Sequence, residues 1–424
     1  MIKFLFKGLL RDRSRSLFPI LIVTAGVFLT VACHAWMFGV IGDMIATNAN
    51  FSTGHVKIMT KAYKENAHQM PNDLAYIGVE ELLNELHAKY PDMFWVPRIQ
   101  FGGLFDIPDE NGETKSQGPT VGMAVDLLSQ GTPEIETLNM EKAIVRGRLP
   151  EKPGEILISD EFARRLEVEP GESGTLIGST MYGGMATQNF TIVGTLSFGI
   201  AAMDRAAMIM DITDAQTALN MEDAAGEILG YYNDRVYEDE QALQLTETFN
   251  ASYQTSEDEF DPVMITLRDQ NGLAGYLDMV DYMIVVLLGI FIFAMSIVLW
   301  NTGLIGGLRR YGEIGVRLAI GEDKGRVYRS MIMESVLVGS VGSLIGTGIG
   351  LFFAYYLQNH GLDFSAMMQK SSMYMSGIMR GKVTATTYYI GFVPGLFSMV
   401  LGTVLSGIGI FKRKTAQLFK ELEA

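Results

Sequence analysis

Apolar residues are concentrated in four long stretches, and a long region of mixed pattern separates the first two. In Leu17–Val40 the only ionisable side chains are Cys33 and His34, and Tyr282–Leu308 contains no Asp, Glu, Lys or Arg in 27 residues. A helix needs about 20 apolar residues to cross about 30 Å of hydrocarbon, so these stretches are long enough to span a membrane. We therefore predict transmembrane helices at 17–44, 276–308, 330–357 and 387–411.

The region between the first two stretches alternates between strand and helix patterns. Gly54–Met59 alternates apolar and polar residues as a strand does, and Gly78–Tyr90 carries apolar residues at helical spacing before Pro91. Phe94–Phe105 again has the composition of a strand. The sequence therefore predicts a membrane α-helical protein with four transmembrane helices and an α+β extracytoplasmic domain, residues 45–275, inserted between the first and second helices.

Basic residues flank the predicted spans on one side. The segment 1–16, which we interpret as an amphipathic helix on the membrane surface, holds five Lys/Arg, the segment 309–329 holds six, and the tail 412–424 holds four. The short outer loop 358–386 holds three. Because positively charged flanks favour the cytoplasmic side, we expect both termini and the segment 309–329 to be cytoplasmic.

Charge is distributed unevenly between the two parts of the chain. Residues 41–281 contain 40 Asp/Glu and 15 Lys/Arg, although the whole chain is 48% hydrophobic, with a mean hydropathy of +0.19 and a net charge of −15. Few soluble proteins are so apolar, so composition favours a membrane protein with one soluble acidic domain. The negative charge of that domain argues against nucleic acid as a partner.

No pattern typical of catalysis or of a metal site occurs in the sequence. Cys33 is the only cysteine, and the five histidines are scattered. The sequence contains no G-x-S-x-G, no His-Glu-x-x-His and no G-x-x-x-x-G-K-[ST] phosphate loop. We therefore expect no enzymatic activity and no cofactor on this chain, and any ATP and Mg would be bound by a separate subunit.

The string EIGVRLAIG, residues 313–321, follows the second predicted span and two arginines. It resembles the signature of FtsX-like ABC transporter permeases, a superfamily that includes the MacB-type exporters and the lipoprotein-releasing Lol permeases. In that family the segment forms a coupling helix that docks on a separate ATPase. The resemblance implies this role for the residues that match the string: Glu313, Ile314, Arg317, Leu318, Ala319 and Gly321.

A second pattern lies inside the predicted α+β domain. Residues 146–171 place a Gly-Glu strand before a short helix that ends in Leu and Pro-Gly, and 190–195 then form a Phe-x-Val-Gly strand. An Asp-x-Ala-Gln helix begins near 211. This order resembles the MacB-like periplasmic domain of MacB and Lol permeases. The resemblance implies a bacterial inner-membrane protein whose large domain is periplasmic.

Small and polar residues in the predicted spans are candidates for helix packing. Gly342, Gly346 and Gly350 recur every four residues and therefore share one helix face. Asn301 matches a common position of the family, and Gly402 belongs to a small-residue face of the fourth span. The sequence leaves open whether these faces pack within one subunit or form the seam of a dimer.

The resemblance implies an ATP-driven permease of the mechanotransmission type that works with two copies of an ABC ATPase and with a second permease subunit, as a homodimer or a heterodimer. The Lol-type (LolC/LolE-type) branch is the first interpretation, with transfer of lipid-anchored proteins from membrane lipid to a periplasmic carrier. Alternatives are a MacB-type exporter with a periplasmic adaptor and an FtsX-type signal transmitter. Candidate contacts with a carrier or substrate are Pro97, Arg98, Phe101, Tyr182, Met367 and Met368.

Overall fold

The computed structural model describes residues 13–253, 258–270, 272–275, 315–364 and 378–412, and within the second predicted span 278–279, 282–283, 285–287, 289–291, 293–294 and 297–298. These residues fall into two compact units. One is drawn from Met1–Gly42, Asp278–Leu362 and Met379–Ala424, and the other from Asp43–Leu277 and Asp363–Ile378.

The first unit is helical. Helix α1 (Arg13–Asn48) contains the first predicted span, and α10 (Lys324–His360) contains the third. The fourth begins as a 3₁₀ turn at Ala385–Tyr388, passes a π turn at Val393–Phe397 and continues as α11 (Ser398–Lys412). The π turn contains Pro394, which lacks the N–H that a regular helix requires.

Three helices among the described residues are long and apolar enough to cross a membrane, at Leu17–Thr53, Lys324–His360 and Ala385–Leu405. They correspond to the first, third and fourth predicted spans. The second predicted span lies largely outside the described residues, so the fourfold count stays a prediction. The described residues that fall within it are helical.

The second unit is an α+β domain. Its strands are β1 (Val56–Thr60), β2 (Tyr76–Ile77), β3 (Met93–Pro108), β4 (Thr114–Val125), β5 (Ile144–Gly147), β6 (Glu155–Ser159), β7 (Ser173–Ser179), β8 (Met185–Leu196), β9 (Ala207–Asp211), β10 (Ala224–Ala225), β11 (Glu227–Tyr232) and β12 (Pro262–Thr266). A further two-stranded sheet is formed by β13 (Leu362–Asp363) and β14 (Ile378–Met379). Its helices are α2 (Lys61–Asn66), α3 (Val79–Lys89), α4 (Glu134–Thr137), α5 (Met140–Ala143), α6 (Asp160–Leu166), α7 (Ala201–Asp204), α8 (Ile212–Leu219) and α9 (Asp239–Ala251).

Ten of these strands form one sheet, in the order β12-β1-β11-β3-β4-β9-β6-β8-β5, with β7 pairing with both β3 and β8. Strands β3, β4, β9, β6, β8 and β7 therefore close into a ring. The β4–β9 and β6–β8 pairs are parallel, and the other pairs of the sheet are antiparallel.

The long strand β3 links the two halves of this sheet. Its first part pairs with β11 from Met93 to Arg98, and its second part pairs with β4 from Ile99 to Pro108. The largest apolar core combines ring residues such as Phe105 and Phe190 with residues of α3 and α9. Helix α3 contributes Leu82 and Leu86, which are separated by one helical turn and are both buried.

Candidate functional site

The predicted coupling segment begins in the structure with a short helix at 315–319, and Glu313, Ile314 and Asn301 lie outside the described residues. The helix stops at Gly321, whose φ of +96° favours glycine. The Gly321 N–H donates to the Leu318 carbonyl (3.1 Å), and the Glu322 N–H donates to the Arg317 carbonyl (3.0 Å). This pair of bonds is the Schellman termination, so the helix has a defined end.

An ion pair fixes this turn. Arg317 Nε and Nη2 donate to the two carboxylate oxygens of Glu322 at 2.7 and 2.9 Å. Asp323 then caps α10 by accepting a hydrogen bond from the Gly325 N–H (2.9 Å). Glu313 and Arg317 are four residues apart, a spacing that predicts an ion pair on one helix face. The ion pair that the structure describes instead joins Arg317 to Glu322, beyond the end of the helix.

In a coupling helix Ile314, Leu318 and Ala319 would form the apolar face that docks on the ATPase, but the exposed apolar surface of the described residues 315–320 is different. Leu318 is half-buried and packs against Val327, which is fully buried at the start of α10. Ala319 is exposed, and the large exposed apolar side chains are Val316 and Ile320, at 47% and 81% exposure. Sequence reasoning omitted both residues because a five-residue helix is too short for its periodicity to distinguish two faces.

The three glycines of α10 lie against α1. A Cβ added at Gly342, Gly346 or Gly350 would lie 2.8 Å from the Cβ of Val23, Val27 or Val31, respectively. These valines are fully buried and recur at the same four-residue spacing. The glycine face is therefore occupied within the chain, which leaves no room for a dimer seam on that face. Gly402 is buried in α11.

Two of the predicted carrier contacts are wrong, because their side chains are buried. Arg98 is 0% exposed, and Phe101 is 3% exposed with its ring lying against Gly122. Pro97 is half-buried in the middle of the sheet. Met367 and Met368 lie outside the described residues.

Tyr182 is the predicted contact that the structure leaves accessible. It lies 73% exposed in the hairpin between β7 and β8, beside Met185, which is 78% exposed. Met181 is buried, and its N–H donates to the Leu219 carbonyl (2.8 Å). The Thr180 N–H donates to the Gly184 carbonyl (2.8 Å), so the hairpin is held at its base.

Arg98 instead belongs to a buried polar cluster. Its Nε and Nη2 donate to the two carboxylate oxygens of Glu134 at 2.8 and 2.7 Å, and Glu134 is 0% exposed. Its Nη1 donates to the Asn50 carbonyl at 2.6 Å. Burial alone would lower the pKa of Arg98, but the Glu134 carboxylate reverses this effect, so the pKa is raised and the guanidinium stays charged.

A second buried ion pair lies beside this cluster. Lys57 Nζ donates to Glu227 at 2.8 Å, and Gln100 donates to the other oxygen of the same carboxylate at 3.2 Å. Glu227 and Arg98 occupy facing positions on the neighbouring strands β11 and β3. Sequence reasoning missed both pairs, because their members are 36 and 170 residues apart.

His55 also lies in this region, where β1 begins. Its ring is within 6 Å of the rings of Tyr231, Tyr232 and Tyr237, and its Nδ1 accepts a hydrogen bond from the Tyr232 N–H (3.2 Å). Burial lowers the pKa of His55 to about 4, while Asp234 opposes the shift and Arg235 adds to it. The imidazole is therefore neutral in the folded domain near pH 7.

This lowered pKa makes the stability of the domain pH-dependent. Because the unfolded state binds a proton near pH 6.5 and the folded state only near pH 4, stability should fall as the pH falls through this window. We expect a loss of about 2 kcal/mol between pH 8 and pH 5, measured by urea unfolding. In His55→Asn, which keeps an acceptor but does not titrate, this loss should largely disappear. An unchanged pH dependence in that variant would contradict the assignment.

The buried ion pairs and His55 stabilise the α+β domain through the contacts described above. Among the described residues, no group of three or more His, Cys, Asp and Glu side chains is arranged to hold a metal ion. The two buried charged clusters are paired internally, and exposed apolar side chains occur at the helix end 315–320 and at the hairpin that carries Tyr182. Both are suited to binding another protein.

Comparisons with known proteins match the membrane part most clearly. Residues 285–415 match the family described as FtsX-like permease C-terminal. A macrolide export ATP-binding/permease protein MacB of Neisseria meningitidis is 34% identical over 71 residues, which cover 16% of this chain and 11% of that protein. MacB 2 of Aeromonas hydrophila is 29% identical over 92 residues, which cover 20% of this chain and 14% of that protein.

A match to the solved structure of the periplasmic region of MacB from Actinobacillus actinomycetemcomitans covers 52% of this chain and 92% of that structure. Its sequence identity is 11% and its TM-score is 0.35. The matched segments span about a ninth to a seventh of the length of the MacB relatives. The resemblance to FtsX-like permeases is confirmed: residues 285–415 carry an FtsX-like permease domain, and a segment of the chain is similar to MacB proteins.

Proposed function

We propose that this permease receives movement from a separate ABC ATPase at the segment 315–322 and transmits it to its α+β domain. The observation that carries the proposal is the exposed apolar end of the short helix, which includes Val316 and Ile320. The Arg317–Glu322 ion pair and the capped start of α10 hold this end in one orientation. These contacts tie the short helix to the start of α10, and the exposed apolar side chains leave it accessible to a partner.

The proposal implies further partners and a location. Two ATPase copies would need two permease subunits, either identical or related, and the ATPases would bind ATP and Mg. The basic flanks favour a cytoplasmic location for the coupling segment and both termini, which would put the acidic domain in the periplasm and the helices in the inner membrane. The acidic domain makes nucleic acid an unsuitable partner.

Replacement of Ile320 tests the docking surface. Because Ile320 is 81% exposed, Ile320→Asp should leave folding intact. Placing a charge in an apolar contact should weaken binding of the ATPase by at least about tenfold. The measurement is co-purification and ATP turnover of the ATPase that binds the wild-type chain.

Val121→Asp is the matched control, since Val121 is 51% exposed but lies in β4 of the α+β domain. It should bind the ATPase as the wild type does. Unchanged binding and turnover in Ile320→Asp would show that the docking surface lies elsewhere. Leu318→Asp is a poorer test, because Leu318 also packs against Val327.

For the substrate we propose release of lipid-anchored proteins from the inner membrane to a periplasmic carrier, with the Tyr182 hairpin as the candidate carrier contact. The strings GHVKI, residues 54–58, and Pro97-Arg98 resemble the Lol branch, and this resemblance supports the proposal. Export with a periplasmic adaptor is supported equally, because the relatives described above are MacB proteins named for macrolide export.

Depletion of the protein distinguishes these two substrates. If it releases lipoproteins, depletion should leave them in the inner membrane fraction, as detected by blotting of separated membranes. If it exports macrolides, lipoproteins should be sorted normally and susceptibility to macrolides should rise. Normal sorting with unchanged susceptibility would contradict both and favour a signalling role.

A further inference from the structure

The chain enters the α+β domain through a distinctive turn. Helix α1 ends at Asn48 and is followed by a single π turn, Ala49–Thr53. The Gly54 N–H donates to the Ala49 carbonyl (2.9 Å) and closes the turn, after which β1 begins. This turn joins the helix of the first span to the central sheet.

Arg98 and Tyr231 hold this entry turn from the sheet. Arg98 Nη1 donates to the Asn50 carbonyl at 2.6 Å, and the Tyr231 hydroxyl donates to the Ala49 carbonyl at 2.9 Å. Both side chains are at most 1% exposed. Glu134 occupies the other nitrogens of the guanidinium and thereby fixes its plane.

The segment that leaves the domain is tied to the same turn. Gln270 Nε2 donates to the Thr53 carbonyl (3.2 Å) and to the Thr266 carbonyl at the end of β12 (2.9 Å). Leu267 and Leu273, which precede the second predicted span, share one apolar cluster with Ala49. The entry and exit segments of the domain are therefore fastened to each other.

We propose that Arg98 is a positioning residue that couples the helix of the first span to the sheet, so that movement of the helix moves the domain. This inference rests on the proposed function, because coupling matters only if movement is transmitted. Replacing a buried ion pair by apolar residues is often neutral for stability, so stability alone does not account for this pair. An apolar pair cannot donate to the Asn50 carbonyl, and this donation is what fixes the turn to β3.

Two double variants separate coupling from folding. Arg98→Met with Glu134→Met removes the pair together with the bond to Asn50. Lys57→Met with Glu227→Met is the matched control, because it removes a pair that is also buried, at 5% and 4% exposure, and that is bonded to Gln100. Both are made in the full chain, reconstituted in lipid nanodiscs with its ATPase.

The first readout is hydrogen–deuterium exchange of the segment 50–54, which includes the Gly54 amide. In Arg98→Met/Glu134→Met this exchange should be at least about tenfold faster, a change equivalent to about 1.4 kcal/mol, while strand β9 should exchange as in the wild type. The control variant should match the wild type in both regions. Unchanged exchange at 50–54 in Arg98→Met/Glu134→Met would overturn the inference.

The second readout is movement of the domain. Cys33→Ala removes the one cysteine of the sequence, so a fluorophore can then be attached at Tyr182→Cys alone. Its emission reports ATP-dependent changes at the hairpin. Arg98→Met/Glu134→Met should lose this signal while ATP turnover continues, and the control should keep it. Persistence of the signal despite faster exchange would overturn the inference. If the wild type shows no signal, the proposed function fails, and exchange at 50–54 alone decides whether Arg98 fixes the turn.

Discussion

Arg98→Met alone is expected to lower the free energy of unfolding of the α+β domain by about 3–5 kcal/mol. The substitution leaves the Glu134 carboxylate, which is 0% exposed, without the cation that compensates its burial. It also leaves the Asn50 carbonyl without the donor that lies 2.6 Å away. Urea unfolding of the purified full chain, followed by tryptophan fluorescence, measures the loss, because buried Trp95 lies in the same strand as Arg98.

The double variant Arg98→Met/Glu134→Met serves as the control. Since it removes both charges, its stability should lie within about 2 kcal/mol of the wild type. The residual cost comes from the Asn50 carbonyl, which loses Arg98 and keeps only the Tyr231 hydroxyl at 3.4 Å. A single variant as stable as the double variant would show that the Glu134 carboxylate reaches water or becomes protonated without penalty, and the buried pair would then not be what stabilises this part of the sheet.

Arg98 also shows where sequence reasoning fails. Pro97 and Arg98 were candidate carrier contacts, and arginine is almost never fully buried unless it is paired. Its partner Glu134 lies 36 residues away in a four-residue helix that sequence reasoning did not predict. A fully buried charge can be recognised only when its partner is known, and that pairing is set by the tertiary fold.

Local patterns were predictable where cap and turn residues mark the end of an element. Strand β6 and helix α6 follow the predicted order, and Ser159 caps α6 by accepting a hydrogen bond from the Phe162 N–H. Strands β7 and β11 were not predicted. Strand β11 is buried along nearly its whole length and lacks the alternation of a half-exposed strand. Strand β7 is fixed by its pairing with β3 and β8, and the tertiary fold sets both pairings.

The spans were predictable for a different reason. Their length and the absence of charge are sufficient evidence for a membrane helix, whereas the partner of each helix face is not encoded locally. The spacing of Gly342, Gly346 and Gly350 indicated a close approach by some helix. Only the structure identifies the partner as the valine row of α1 in the same chain.

Gly346→Leu is therefore expected to separate α1 from α10 and to destabilise the helical unit by about 3 kcal/mol, the upper end of the range for overpacked sites. A Cβ at this position would lie 2.7 Å from the Thr24 carbonyl oxygen and 2.8 Å from the Val27 Cβ. The backbone oxygen cannot rotate away, so relief requires movement of a whole helix. Thermal unfolding of the detergent-solubilised chain can be followed through the reactivity of Cys33, the only cysteine, which lies on α1.

Gly348→Leu is the matched control on the same helix. A Cβ at Gly348 would have no neighbour within 4 Å, and the position is exposed. Because leucine has a higher helix propensity than glycine, this variant should unfold at the wild-type temperature or slightly above it. If the two variants unfolded at the same temperature, the glycine face would not be the contact that joins α1 to α10, and a dimer seam on that face would again be open to test. A lower unfolding temperature for Gly346→Leu alone would assign the glycine repeat to packing within one subunit, so any second permease would have to contact a different face of α10.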